Sequence, residues 1–304
     1  MAQGDRGTLG LVVCATPSVT VGGVSNWRLS TGMNRLVEAA GGQVDPTFVA
    51  IMALAPVLGF TTRQLTALSS FGISGAQITT LDAYVQKLLA YGTRGGAGTH
   101  TKISIPTGIC VPRTLSAQQG QRAELALDAV AISSTGAAAA ATVTTGQNLP
   151  AGGGVTEVFT LGPVKINGTA LDCEAVNVDF GVSLQVDSSG GQVFPTFVAV
   201  MDRRPSIRLT PKDMDSFNTF YNSGAFGLAQ AATDSLVYFR KLAAGGLRVA
   251  DETAEHVQLA IAAGLISLEA GDARHGERAT TDVVITPISN GTDAIIAIDT
   301  TAAI

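Results

Sequence analysis

Histidines, cysteines and two Tyr/Lys pairs are the side chains of this sequence with the most chemistry to offer, and their spacing decides what they can do. His100, His256 and His275 each lack a second ligand at metal-binding spacing, and no His-Glu-x-x-His occurs, so a local zinc site is not indicated. Cys14, Cys110 and Cys173 are odd in number and widely spaced, with no Cys-x-x-Cys pair. They predict neither a disulfide framework nor a thiolate metal site, and point to folding in a reducing compartment. Tyr84-x-x-Lys87 and Tyr238-x-x-Lys241 have the wrong spacing for a Tyr-x-x-x-Lys dehydrogenase pair, and no Gly-x-Gly-x-x-Gly supports a cofactor there. Gly92 to Gly98, reading GTRGGAG, is not followed by Lys-Ser/Thr and a helix, so it reads as a flexible loop and not a phosphate cradle. Neither a Gly-x-Ser-x-Gly elbow nor a Walker loop is present. No catalytic, cofactor-binding or metal-binding residue is assigned, and the expectation is a protein that is not an enzyme. Carboxylate pairs leave no local signature, which keeps an enzyme as an alternative.

Charge narrows the partners. A net charge of −5 argues against a protein that grips nucleic acid by neutralising phosphates, which needs clustered Lys and Arg. The densest basic stretch, Asp202-Arg203-Arg204-Pro205-Ser206-Ile207-Arg208, has three arginines and precedes Asp213 and Asp215. It reads as a solvated loop or an intersubunit ion pair. With 14% charged residues, 5% aromatics and 35 glycines, the surface must be built largely of small, weakly polar side chains, as in subunits packed against copies of themselves. The N-terminus, MAQGDRGTLG, has no basic region followed by an apolar core. The longest apolar run, Phe48 to Phe60, is broken by Pro56 and falls short of the roughly 20 residues that span a bilayer. A soluble chain made in the cytoplasm, with no membrane partner, is expected.

The sequence repeats itself. Residues 41–61 (GGQVDPTFVAIMALAPVLGFT) and 190–210 (GGQVFPTFVAVMDRRPSIRLT) agree at 12 of 21 positions, at an offset of 149. Upstream, Gly32, Val37 and Glu38 fall on Gly181, Val186 and Asp187. Downstream, after a five-residue insertion, Ala83 to Leu88 meets Val237 to Leu242. At an offset of 156, His100, Ile105 and Gly108 match His256, Ile261 and Gly264, Gly120 to Ala123 sits on Gly276 to Ala279, and Thr144-Thr145 sits on Thr300-Thr301. Ordered matches across most of 304 residues predict two diverged copies of one unit, residues 1–148 and 149–304, joined through the Gly-flanked QNLP segment. The copies part company inside the best-matched stretch, where Ala53-Leu54-Ala55 faces Asp202-Arg203-Arg204. These triplets are expected on chemically different surfaces.

Each copy predicts an α+β, mainly β unit: a β-sandwich or barrel flanked by one helix. Gly41-Gly42 and Gly190-Gly191 lie between strand-forming residues, the pattern of a hairpin turn. Phe48 to Met52 and Phe197 to Met201 are apolar and β-branched throughout, which predicts strands buried on both faces, with Pro46 and Pro195 at their beginnings. Thr61-Thr62-Arg63-Gln64 has capping-box spacing, and Thr210-Pro211-Lys212-Asp213 pairs the same N-cap with Pro at the first helical position. Leu65, Leu68 and Phe71, and Met214, Phe217 and Phe220, would give each helix a buried face, closed by Gly72 or Gly75 and by Gly224. Lys102 to Ile109, Ala123 to Ile132, Thr281 to Ile288 and Ala294 to Ile298 read as strands. Ala254 to Ala263 reads as helix by propensity, against a strand at its counterpart, and Ala137 to Ala141 as a bland strand.

A hairpin, then a Pro-flanked strand, then a Thr-capped helix, as in Val178-Asp179-Phe180-Gly181 through Pro195-Thr196-Phe197-Val198-Ala199 to Thr210-Pro211-Lys212-Asp213-Met214, resembles the tail tube proteins of long-tailed bacteriophages (siphophages). The resemblance is one of pattern and composition over much of each copy. It implies a β-sandwich with a flanking helix, six of which close into a ring that stacks into a hollow tube for DNA. Some members of that family have the tube domain duplicated, so three chains make a pseudo-hexameric ring. The implied partners are further copies of the chain, other tail proteins, and DNA passing without sequence readout; the implied location is the virion tail, assembled in the host cytoplasm. Asp202, Arg203, Arg204, Glu38 and Asp187 are the candidate ring or inter-ring contacts. The Gly-rich segments 91–99 and 245–255 depart from the simple family pattern. A baseplate hub or tail terminator ring, and a duplicated β-rich enzyme or ligand-binding module, are the rival expectations.

Overall fold

A computed structural model describes residues 6–42, 44–89, 93–151, 154–155, 157–212, 230–243, 245, 247–272, 280–289, 291 and 294–304. Its first half contains β1 (Arg6–Thr16), β2 (Val19–Val21), β3 (Val24–Ser30), β4 (Asn34–Glu38), β5 (Phe48–Ala53), β6 (Val57–Thr62), α1 (Ala67–Phe71), β7 (Ala76–Leu88), β8 (His100–Gln118), β9 (Glu124–Ala131) and β10 (Thr142–Gln147). Its second contains β11 (Val158–Ile166), β12 (Thr169–Leu171), β13 (Cys173–Asp179), β14 (Val182–Asp187), β15 (Phe197–Arg203), β16 (Ser206–Pro211), β17 (Gln230–Leu242), β18 (His256–Asp272), β19 (Thr280–Pro287) and β20 (Ala297–Ala302). The protein is mainly β, and every strand pairing among the described residues is antiparallel.

The pairing pattern occurs twice. In the first half the order is β2-β1-β7-β8-β9-β6-β3 with β10 on β8; in the second it is β12-β11-β17-β18-β19-β16-β13 with β20 on β18. Registers agree as well as order. Gly108 faces Ala131 and Gly264 faces Pro287, and the ladders slip at the same place, after Pro112 and after Leu268. Thr80 and Asp234 occupy the same step of β7 and β17, and both have positive φ, 54° and 47°. A non-Gly residue in this region is uncommon, and here it occurs at the same step of the two pairing patterns. The C-terminal strand is displaced by one residue from the sequence alignment: Thr142 and Ala297 hold matching positions, on Ser104 and Ala260.

Alternation of small apolar and polar residues makes these strands two-sided. On β9, Leu125, Leu127 and Ala129 point inward and are buried, while the residues between them are less so. They meet Leu58 and Phe60 of β6, Val12 of β1, and Leu65, Leu68 and Phe71 from the α1 region; the second half contributes Phe159, Phe239, Leu259, Ile207 and Leu209. All belong to one continuous apolar cluster.

Several sequence expectations change here. The first helix is only five residues long and begins after Thr66, whose side chain makes no capping bond to the helix itself. Thr61 and Thr62 instead end β6, where the Thr62 hydroxyl donates to the Gly22 carbonyl (2.8 Å) and Gly22 N–H donates to Gln64 Oε1 (2.9 Å). The Thr-x-x-Gln spacing serves a strand end crossing over β2–β3. Leu65, Leu68 and Phe71 are buried as expected, and Gly72 closes the helix. Ala254 to Ala263 lies mostly in β18, where tertiary pairing overrides alanine's helical propensity. Ala137 to Ala141 is loop; the strand starts at Thr142. In the second half, Thr210 and Pro211 belong to β16, while the expected helix with Met214, Phe217, Phe220 and Gly224 lies outside the described residues, as do His275 and Gly276 to Ala279.

The cysteines behave as small apolar residues. All three are free and buried. Burial pushes the Cys173 thiol up to about 12, with Asp172 adding to the shift, and raises Cys110 and Cys14 above the ordinary thiol range. Thiolate is the reactive form. Titration of the native protein with a disulfide reagent at pH 8 should therefore give close to none of the three thiols within minutes, and all three after denaturation. Fast reaction of even one in the native state would show that its strand is not held as described.

Candidate functional site

The histidines that chemistry singled out are loop anchors. His100 and His256 are 2% and 0% exposed. Nδ1 of each accepts a backbone N–H at 3.1 Å, from Lys87 and Lys241 respectively, and His256 Nε2 meets the Ala250 carbonyl at 3.0 Å. These bonds fix the Nε2–H tautomer of His256. Burial, with the Arg94 charge adding to it, lowers the His100 pKa and favours the neutral ring that the bond requires. Each Gly-rich segment is closed in the same way, by the bridge Leu88–Arg94 in one half and Leu242–Arg248 in the other. Among the described residues no cluster of His, Cys, Asp or Glu is placed to hold a metal ion.

Two of the surface hollows among the described residues have the size of a ligand site. One, of about 730 Å³, lies beside β3 and includes Trp27, Leu29, Val85, Arg28 and Lys87; among the described residues no carboxylate, His or Cys lines it. The other, of about 590 Å³, sits where β8, β9 and β13 meet, and its one carboxylate, Glu124, is paired with Arg122 at 3.3 Å. Neither wall supplies an acid–base pair.

What the fold does present is sheet edge. On β8, β7 occupies one edge as far as Cys110, and β13 takes over that edge with Thr114 to Gln118 facing Asp179 to Ala175. The two halves are thereby stitched into one sheet, reinforced where Ala123 N–H donates to the Phe159 carbonyl (2.7 Å) and Glu157 accepts from Thr66 N–H (3.3 Å). At the matching place on β18, β17 ends opposite Ile266, and Ala270 to Asp272 pair only with β19 among the described residues. At the other end, β3, which matches β13, pairs only with β6 among the described residues. Val176 and Val178 of β13 are buried by the junction, whereas the equivalent Trp27 and Leu29 are half-buried. An unpaired strand edge is a template for another chain.

The second exposed feature is the pair of ribbons, β4–β5 and β14–β15, which stand apart from the main sheet. The hairpin turns fall at the Gly-Gly steps as the sequence predicts, but the strands are not buried on both faces. Phe48, Val49, Ile51 and Met52 are 54%, 64%, 47% and 56% exposed, and Phe197 and Met201 are 51% and 64% exposed. So much apolar surface on one ribbon exceeds what scattered surface residues explain.

Of the candidate contacts, Glu38 and Asp187 end β4 and β14, where their carbonyls accept from Thr47 and Thr196 N–H, each at 2.9 Å. Asp202, Arg203 and Arg204 sit together at the end of β15, all exposed; Asp202 accepts from Arg204 Nε (2.6 Å) and Arg203 N–H (2.8 Å). Their counterparts Ala53, Leu54 and Ala55 are half-buried, and Leu54 N–H donates to the Val193 carbonyl of the other half (2.8 Å). Sequence reading missed the residues that make this contact, Val193 to Pro195 and Ser133 to Gly136. The signal was there as the Asp45/Phe194 mismatch, the sole difference among the first ten residues of the repeat.

No protein-family model matches this chain, and no curated protein is similar enough to it to be counted a relative.

Proposed function

We propose that this protein is a structural subunit of a bacteriophage tail tube, in which three chains, each of two units, form a pseudo-hexameric ring, and rings stack around a channel for DNA. One observation carries the reading: β8 and β13 join the halves edge to edge, and among the described residues the equivalent edges of β18 and β3 meet no further strand. A contact between unlike faces can be repeated by the next copy, and repetition through a fixed rotation closes a ring or extends a filament. The exposed apolar ribbons and the low content of charged side chains fit a subunit buried among its own copies. Net acidity suits a wall that does not retain DNA. In this reading the chain has no catalytic role, and its location is the virion tail.

Negative-stain electron microscopy of the purified protein, paired with light scattering, tests the proposal. Hollow tubes, built of rings with three times the mass of the chain, are the expected result. Single closed rings that do not stack would move the protein to a ring at the end of the tail. A monodisperse monomer at high concentration would overturn the reading.

A further inference from the structure

Within the chain, the second ribbon lies across the first half. The Leu54 N–H donates to the Val193 carbonyl (2.8 Å), the Phe194 N–H to the Gly136 carbonyl (3.1 Å), and the Ser133 N–H to the Pro195 carbonyl (2.7 Å). Pro195 and Ser133 are buried there, and Phe194 packs against the core. The same positions of the opposite halves are uncovered. Val44, the counterpart of Val193, is 98% exposed; Pro46 is exposed where Pro195 is buried; Ser289 is exposed where Ser133 is buried. Among the described residues, each half of a built contact is thus present without its mate, one on the first ribbon and one on the second half.

The side chains at these bare positions have changed together. Where the covered contact bonds Leu54 to the Val193 carbonyl, one residue before Phe194, the bare one would set Arg203 at the Val44 carbonyl, one residue before Asp45, with the Arg203 guanidinium turning from Ser74 Oγ of its own chain. The residues at these positions are apolar in the covered contact, Leu54 and Phe194, and oppositely charged in the bare one, Arg203 and Asp45. We infer that the first ribbon docks in trans on the second half of a neighbouring copy of this chain, with Asp45 seated against Arg203 and Arg204, and with Ser289 N–H donating to the Pro46 carbonyl. The two kinds of junction then differ in chemistry, apolar within a chain and ionic between chains. Unlike junctions prevent a ribbon from settling on its own chain's half in place of its neighbour's, because Asp45 finds alanine and leucine there and Phe194 would find arginines.

This inference rests on the ring reading, and the experiment separates the two. The full-length protein is compared with Asp45→Arg and with the swap Asp45→Arg/Arg203→Asp/Arg204→Asp, by mass photometry and sedimentation velocity across a concentration series. Circular dichroism and thermal melting establish that each variant is folded; Asp45→Arg should leave melting unchanged, and the swap, which gives up the Arg203–Ser74 and Arg204–Asp202 bonds, should lower it slightly. Asp45→Arg should weaken association about tenfold or more in low salt, because like charges then face one another. The deficit should shrink at about 0.5 M salt, and the swap should regain most of the lost association. If the unaltered protein assembles and Asp45→Arg assembles equally well, the docking inference fails while the ring reading stands. Failure of the swap to recover association while Asp45→Arg is defective also overturns the charge pairing. If the unaltered protein does not assemble, both fall.

Discussion

Gly181→Ala should destabilise the protein by about 3 kcal/mol, whereas Gly190→Ala should cost about 1 kcal/mol, although both glycines have positive φ. At Gly181 (φ 56°) an added Cβ would lie 2.1 Å from the Arg204 carbonyl oxygen and 2.5 Å from its carbon. Backbone cannot yield easily there: Arg204 N–H is bonded to the Gly181 carbonyl (3.1 Å), and Gly181 N–H to Asp179 Oδ1 (2.9 Å). Gly190 (φ 61°), in the ribbon turn, has nothing within 4 Å of the added atom, so only the backbone preference is lost. Gly32 repeats the close approach in the first half, with the Ala55 oxygen at 2.4 Å and φ 54°, and Gly32→Ala should resemble Gly181→Ala. Urea unfolding of dilute samples would measure this through the midpoint, with an unchanged slope. Equal midpoints for the Gly181 and Gly190 variants would mean that the ribbon base is free to shift.

Much of this architecture could be read from residue order, and the exceptions share a cause. The ribbon turns follow from Gly-Gly between strand formers, and the core strands from Val, Ile and Leu alternating with polar residues. Ala254 to Ala263 was misleading because alanine favours helix locally, yet Val257, Leu259 and Ile261, buried at every second position, carry the period of a strand. Phe48 to Met52 reads as interior because its residues are apolar; their exposure shows that the cover is not supplied by the chain's own core. The Thr61 cap was a spacing without a helix, since Thr62 is wholly buried beside Gly22. Asp45 against Phe194 is visible in the repeat itself. Its meaning needed the second ribbon's contact with the first half, because the Leu54–Val193 and Phe194–Gly136 bonds tell which residue of one half lies over which residue of the other.

The seam offers the second large effect. Phe180→Ala should cost about 3–5 kcal/mol, and Thr31→Ala, at the matching position of the first half, less than about 0.5 kcal/mol. Phe180 directly follows β13, is 2% exposed, and belongs to the shared core. Its N–H donates to the Arg113 carbonyl (3.0 Å), while the Arg113 guanidinium reaches the Val182 carbonyl (2.8 Å) and Asp128 (2.7 Å). These bonds hold the backbone around Phe180 in place, so the space left by the ring closes only partly. Thr31 is exposed at the free β3 end, where no other half covers it. Denaturant unfolding of the two variants at concentrations too low for association measures the difference, since assembly would add its own stabilisation. A Phe180→Ala loss as small as that of Thr31→Ala would show that the halves are not joined through a packed seam. It would also leave the contact between chains without a counterpart inside the chain.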